Sequence, residues 1–216
     1  SMYLQSKMIP FESMEAKLSN TSIFKRISVD ADKASMVYFN LRGKESLRNN
    51  RANTTMMAVA PTKSSSFILG QVSMGIEPIK SNYFVKDLAK IKTVYKNPFL
   101  VQHLDNHGMN TDEVWDSILK KDGSVQHLDL PDKEVFKTFS EISPKEIVIQ
   151  AAARQKYIDQ SQSLNLSIDP SVSAKDINKL YIFAWEQGVK TLYYQYSKSS
   201  AQDFSRNILE CESCEG

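Results

Sequence analysis

Three groups of residues in this chain have chemistry open to them. Cys211 and Cys214 are its two cysteines, and both sit in the closing stretch NILECESCEG. A thiolate is the nucleophile in disulfide exchange, so a carrier dithiol needs access, neighbouring sulfurs and a flexible tether. CESC, reached through the polar run YSKSSAQDFSRN, offers all three. Glu210, Glu212 and Glu215 act mildly against it, because nearby negative charge disfavours the thiolate. Half of a zinc site is a competing reading, but a closed site wants four ligands, and His103, His107 and His127 lie far back in the sequence. Two exposed thiols without a role remain the plainest alternative. The second group is Pro61, Thr62, Lys63, Ser64 and Ser65, where hydroxyls and backbone N–H groups at a strand end and helix start would cradle an anion. The glycines of a P-loop or dinucleotide fingerprint are missing, and a helix cap with spare serines explains the same residues. The third is Tyr193 and Tyr194. A phenol can lose an electron and a proton together, yet aromatic residues are common in strands, and neighbours in a strand face opposite sides.

The elements that must position these groups follow from patterning. At 216 residues, with 27 basic and 25 acidic side chains spread along it, the chain can bury a core and shows no charge block that would mark a nucleic-acid partner. It has no apolar run long enough for a membrane span and no signal-peptide order at its start, which points to a cytoplasmic protein. Residues 1 to about 50 hold a helical stretch, ADKASMVYFNLRGKESLRNN, ending in a basic, Asn-rich turn. TTMMAVA is β-branched and apolar, and Pro61 ends it as a strand. From about Ser81 to Lys137 short helical patterns are expected over SNYFVKDLAKIK, NPFLVQHLD and TDEVWDSILKK.

The last third is better marked. Ser143 to Glu146 reads as a capping box that opens a helix from Pro144 to about Asp159. SLNLSID alternates as a strand and stops at Asp169-Pro170. A second capping box, Ser173 to Asp176, opens a helix with Ile177, Leu180, Tyr181, Ala184 and Trp185 on one face and Gly188 at its end. TLYYQY is again a strand, so this region predicts a parallel βαβ unit and an α/β fold. Trp115 and Trp185 are expected in the core.

Taken together, TTMMAVAPTKSSSFILGQVSMGIEP, AARQKYIDQSQSLNLSID, GVKTLYYQY and the terminal CESC resemble the C-terminal part of the large subunit of class I ribonucleoside-diphosphate reductase. The resemblance runs from about Asn49 to the last residue. It implies a helix-rich α/β fold, part of a ten-stranded α/β barrel, with a helical lead-in over 1–48, the barrel portion over 49–198 and a flexible redox-active tail over 199–216. By the same resemblance Tyr193 and Tyr194 match a stacked pair that passes a radical to the active site, Tyr194 nearer the small subunit. Pro61, Thr62, Lys63, Ser64 and Ser65 match the loop holding the substrate's diphosphate; some relatives carry an acidic residue at the Lys63 position. Cys211 and Cys214 match the shuttle dithiol that thioredoxin or glutaredoxin reduces. The implied partners are the remainder of the large subunit, a small (beta) subunit and a ribonucleoside diphosphate, with no nucleic acid and no membrane. No metal or cofactor is expected on this segment, and a metal-radical cofactor is expected in the small subunit.

The departure from the family is one of length. Large subunits are several times longer and use further cysteines, whereas this chain has none before Cys211. The expectation is therefore a C-terminal segment, truncated or encoded by a split gene, that is inactive alone. Two alternatives stay open: an inactive α/β module that docks on the small subunit, and a thiol-disulfide carrier using only the terminal cysteines.

Overall fold

The structure is a computed structural model and describes residues 2–42, 51–62, 65–66, 69, 73, 75–88 and 91–197. It begins with α1 (Met2–Ser6) and the long α2 (Met14–Arg42), which starts well before the stretch expected from sequence. One side of α2 is tied to a later helix, α5 (Pro144–Gln155). Asn20 Nδ2 donates to the Gln150 carbonyl at 2.8 Å and to Gln150 Oε1 at 2.9 Å, while Lys17 pairs with Glu146 at 3.1 Å. Other positions on α2, among them Leu18, Val37 and Leu41, keep apolar side chains exposed.

The segment SNYFVKDLAKIK is not helical. It forms a hairpin of β1 (Tyr83–Leu88) and β2 (Ile91–Lys96), antiparallel, with Tyr83 opposite Lys96 and Leu88 opposite Ile91. The two helices expected after it are present as α3 (Pro98–Asn106) and α4 (Asp112–Lys120). Asn97 accepts from the Phe99 N–H at the start of α3, with proline following as the first helical residue. Asn97 and Asn82 are both fully buried and bonded to each other at 2.7 Å, and Asn82 Nδ2 also donates to the carbonyls of Gly123 and Phe136. The hairpin base is thereby fixed to a core of Leu100, Leu104, Trp115, Ile118 and Phe136. Gly123 has φ +81°, and an added Cβ would strike Ser81 and the Asn82 backbone, so this turn requires glycine.

α5 starts at Pro144 as expected and ends at Gln155, short of Asp159. Its capping box does not form: Ser143 makes no side-chain cap, Glu146 turns to Lys17, and Glu12 accepts from the Ser143 N–H at 3.2 Å. An acid from the turn before α2 has taken the role that the sequence gives to Glu146. At the second box the serine cap does form, and Asp176 meets the serine hydroxyl in place of its N–H. Ser173 Oγ accepts from the Asp176 N–H and donates to Asp176 Oδ2 at 2.7 Å, opening α6 (Ala174–Glu186). Gly188, at φ +80°, closes it, with Gly188 N–H on the Trp185 carbonyl and Val189 N–H on that of Ala184. α6 buries Leu180 and Ala184, whereas Trp185 is 77% exposed and Tyr181 40%, so the expectation of a core Trp185 fails. Trp115 is buried as expected.

Behind α5 and α6 lie β3 (Leu166–Ser167) and β4 (Gln195–Tyr196), paired in parallel as the βαβ reading requires. The strand expected over TTMMAVA does not form; it is reduced to one isolated bridge, through which Val59 pairs in parallel with Gln162 ahead of β3. Val59 N–H bonds to the Ser161 carbonyl and Ser163 N–H to that of Val59, at 3.2 and 2.8 Å. The middle segment thus pairs on its first half with 57–59 and on its second half with 193–196. Leu164, Leu166, Ile168, Ile147, Val148 and Ala151 form the core beneath this layer. The layer is open among the described residues, and no closed barrel is present there.

Candidate functional site

Ligand sites on parallel α/β layers gather beyond the carboxyl ends of the strands. Here that end is marked by Pro61, which leaves the ladder just after the Val59 bridge. The chain then turns helical. The Thr62 carbonyl accepts from the Ser66 N–H at 2.9 Å, and the Ser65 carbonyl from the Leu69 N–H at 3.0 Å. First-turn N–H groups of a helix have no partner within it, which suits an anion. Pro61, Thr62 and Ser65 are solvent-exposed at this turn. Lys63 and Ser64 lie outside the described residues.

Registers place the tyrosines at the same level. Val59 pairs with Gln162, so two residues on Pro61 stands level with Leu164, whose carbonyl accepts from the Tyr193 N–H at 2.7 Å. With strands about 4.8 Å apart, the Pro61 and Tyr193 backbones are roughly 10 Å from each other across the middle segment.

The two rings touch, contrary to the alternation expected of strand neighbours. Their centroids are 4.1 Å apart with planes inclined at 55°. The ladder explains it. Leu166 N–H bonds to the Tyr194 carbonyl, and a regular parallel ladder would then put the Tyr194 N–H on the Leu164 carbonyl. Tyr193 makes that bond instead, and the displaced Tyr194 N–H turns to Asn165 Oδ1 at 3.3 Å. Two residues share one ladder position, a bulge, and bulges re-aim side chains. Asn165 is itself held, its N–H donating to Glu77 Oε1 at 2.7 Å. Both rings are about half exposed. The Tyr193 phenol is held above its ordinary range by its hydrogen bond with Tyr194 and by the charge Tyr194 can carry, with a lesser contribution from desolvation. Tyr196 continues the row, its ring 6.4 Å from that of Tyr194.

Beneath the layer, Gln162 is buried and ties the middle segment to α5. Its Oε1 accepts from Arg154 Nε at 2.5 Å, and its Nε2 donates to the Ala151 carbonyl and to Gln155 Oε1. Its own carbonyl accepts from Thr191 Oγ1 at 2.9 Å, on the approach to β4. Burial pushes Arg154 down to about 10, opposed by Glu77, so the guanidinium stays charged at neutral pH.

Sequence reasoning missed Asn165, Glu77, Gln162, Lys80 and Tyr196. Tyr196 alone left a signal, its two-residue spacing from Tyr194. Cys211, Cys214 and the tail 199–216 lie outside the described residues. Two of the three histidines serve the fold: His103 Nε2 meets the Pro131 carbonyl at 2.8 Å and His107 Nδ1 the His103 carbonyl at 2.8 Å. Among the described residues no cluster of three or more His, Cys, Asp or Glu could hold a metal, and no helix is long and apolar enough to cross a membrane.

Comparison with known proteins covers nearly the whole chain. The family described as ribonucleotide reductase, barrel domain, matches residues 44–195. The large subunits of ribonucleoside-diphosphate reductase from Invertebrate iridescent virus 6 and Invertebrate iridescent virus 3 are 38% and 39% identical to it. These matches take in 92% and 91% of this chain but 22% and 32% of the viral proteins. The solved alpha subunit of the class Id ribonucleotide reductase of Actinobacillus ureae superposes with a TM-score of 0.84 at 48% identity, over 97% of this chain and 38% of that one. The chain thus spans well under half the length of these relatives, and its helix-rich α/β fold is related to their barrel domain. With the open parallel layer, the turn after Pro61 and the paired tyrosines already in place, these matches show that the chain belongs to the large (alpha) subunit family of class I ribonucleoside-diphosphate reductases, corresponding to the barrel-domain region.

Proposed function

We propose that this chain is the C-terminal segment of a ribonucleoside-diphosphate reductase large subunit and works with the remainder of that subunit to convert ribonucleoside diphosphates to deoxyribonucleoside diphosphates. The observation that carries this reading is the ring contact of Tyr193 and Tyr194, created by a backbone bulge at the level of Pro61. The parallel layer is one sector of a barrel that the remainder completes. Pro61 follows the Val59 bridge, and the turn at Thr62 to Ser65, with Lys63 and Ser64, holds the substrate diphosphate at first-turn N–H groups and hydroxyls.

Tyr194 faces the small subunit and Tyr193 the substrate. A metal-radical cofactor in the small subunit is the source of the oxidising equivalent. A phenol is protonated at neutral pH, so its electron leaves together with its proton, and the ring contact of Tyr193 with Tyr194 gives a short path. Cys211 and Cys214 are the dithiol that carries reducing equivalents inward after each turnover, themselves reduced by thioredoxin or glutaredoxin through thiol–disulfide exchange.

The test is reconstitution: this chain, a polypeptide supplying the rest of the large subunit, and the small subunit, followed by reduction of cytidine diphosphate. Turnover should vanish with Tyr194→Phe. It should vanish with Cys214→Ser when thioredoxin is the reductant and persist when a small dithiol replaces thioredoxin. No turnover from folded, associated components would instead favour an inactive docking module. Thiol exchange with thioredoxin in the absence of nucleotide reduction would favour the carrier.

A further inference from the structure

Tyr196 is a third phenol beside the pair. It lies two residues after Tyr194 on the same face of the strand, with its ring 6.4 Å from that of Tyr194. Any phenol so close to a Tyr194 radical is a competing donor. One electron and one proton would pass from Tyr196 to the Tyr194 oxygen, restoring the Tyr194 hydroxyl and leaving a neutral phenoxyl on Tyr196, off the line to Tyr193.

Tyr196 differs from the pair in what stands over it. Lys80 Nζ lies 3.6 Å from the centre of its ring. The placement is built in: the Phe139 N–H donates to the carbonyl of the preceding residue, Ile79, at 2.8 Å, and the Phe139 ring meets Tyr196 edge-on at 6.5 Å. An ammonium over a ring face is attracted to the electron density there, and taking an electron from that ring together with the hydroxyl proton thins that density and forfeits part of the attraction.

We propose that Lys80 is a redox guard: its ammonium makes Tyr196 the hardest of the three phenols to oxidise and so confines the radical to Tyr193 and Tyr194. Lys80 is a positioning residue for the radical, and Tyr196 is a neighbour kept silent. The inference rests on the radical-transfer reading above.

The experiment uses the assembled enzyme, with the remainder of the large subunit and the small subunit present. Lys80→Met removes the charge and keeps the chain length, and it should slow turnover by shifting the radical partition toward Tyr196 by roughly two- to thirtyfold. Lys80→Arg, which keeps the cation, and Tyr196→Phe, which removes the trap, should each retain wild-type turnover. The double variant Lys80→Met with Tyr196→Phe should recover it, which a merely structural lysine would not allow. In freeze-quenched Lys80→Met enzyme, ring-deuterated tyrosine at position 196 should narrow the electron paramagnetic resonance signal. Full activity of Lys80→Met, a loss that Tyr196→Phe does not rescue, or a loss with Tyr196→Phe alone would each overturn the guard. Turnover that survives Tyr194→Phe would instead overturn the radical-transfer reading on which it rests.

Discussion

Replacing Arg154 by methionine should destabilise this chain more than replacing the glutamine that binds it. Gln162→Met keeps the volume but removes the acceptor 2.5 Å from Arg154 Nε and the donor to Gln155 Oε1, while the guanidinium keeps Glu77 as its opposite charge. Losing a hydrogen bond to a charged group in this way costs about 1.5–3 kcal/mol. Arg154→Met leaves the Gln162 amide oxygen unpaired and takes the cation away from the buried Glu77 carboxylate, at about 3–5 kcal/mol. For a chain of this size each kcal/mol moves Tm by about 2–4 °C, so losses near 5 °C and 10 °C are expected in turn. The double variant should fall less than the sum of the two, because with the charge gone the loss of its acceptor no longer matters. Urea unfolding followed by far-ultraviolet circular dichroism, with Tm measured on the same four proteins, gives the cycle. Gln162→Met as damaging as Arg154→Met, or strict additivity, would refute the reasoning. The outcome bears on function because the Gln162 peptide also bridges to Val59 and accepts from Thr191, joining the segment ahead of Pro61 to the approach of the tyrosines.

The two tryptophans should separate cleanly: Trp115→Ala costs about 3–5 kcal/mol as a core truncation, while Trp185→Ala stays within about 0.5 kcal/mol by thermal denaturation of the isolated chain. At Glu12, burial raises the carboxyl pKa, but hydrogen bonds from Lys137 and the Ser143 N–H outweigh it and leave the group below its ordinary value. Its stabilisation is therefore present above the unfolded pKa and lost as pH falls through the folded one. Between about pH 5 and 3 wild-type Tm should drop more steeply than that of Glu12→Gln, by about 1 kcal/mol of stability; parallel curves would remove the pair from the account. Gly188→Ala should cost about 1–2 kcal/mol, since the helix closes there at φ +80°. Equal stability would mean that α6 ends another way.

The parts of the fold legible in the sequence are those punctuated by local chemistry. Pro144 and Ser173 start their helices and Gly188 stops one. The hairpin was not legible for a local reason as well. Phe84, Val85, Leu88, Ile91 and Val94 fall at spacings that suit a helix, and the residues between the strands, Ala89 and Lys90, carry none of the Gly, Asn or Asp that mark a tight hairpin. Trp185 shows a different limit. An apolar face read from periodicity does not say how much of it meets a partner, and α6 covers only the Leu180 and Ala184 side among the described residues. At the site, the residue types were legible and their arrangement was not. Which of two adjacent N–H groups meets Leu164, and which lysine arrives over Tyr196, are decided by tertiary contacts.

The bulge at Tyr193 and Tyr194 makes their meeting a matter of counting backbone atoms, and not of affinity between phenols. Exchanging either side chain for phenylalanine or a fluorinated tyrosine leaves the surplus residue in place, so the rings should still meet while acidity and potential are tuned at will. Removing one residue from the approach to β4 would do the reverse, keeping a tyrosine and its chemistry while restoring the alternation that sends neighbours to opposite faces. Chemistry and proximity are therefore separable here by two different kinds of edit, one to the side chain and one to the length of the strand.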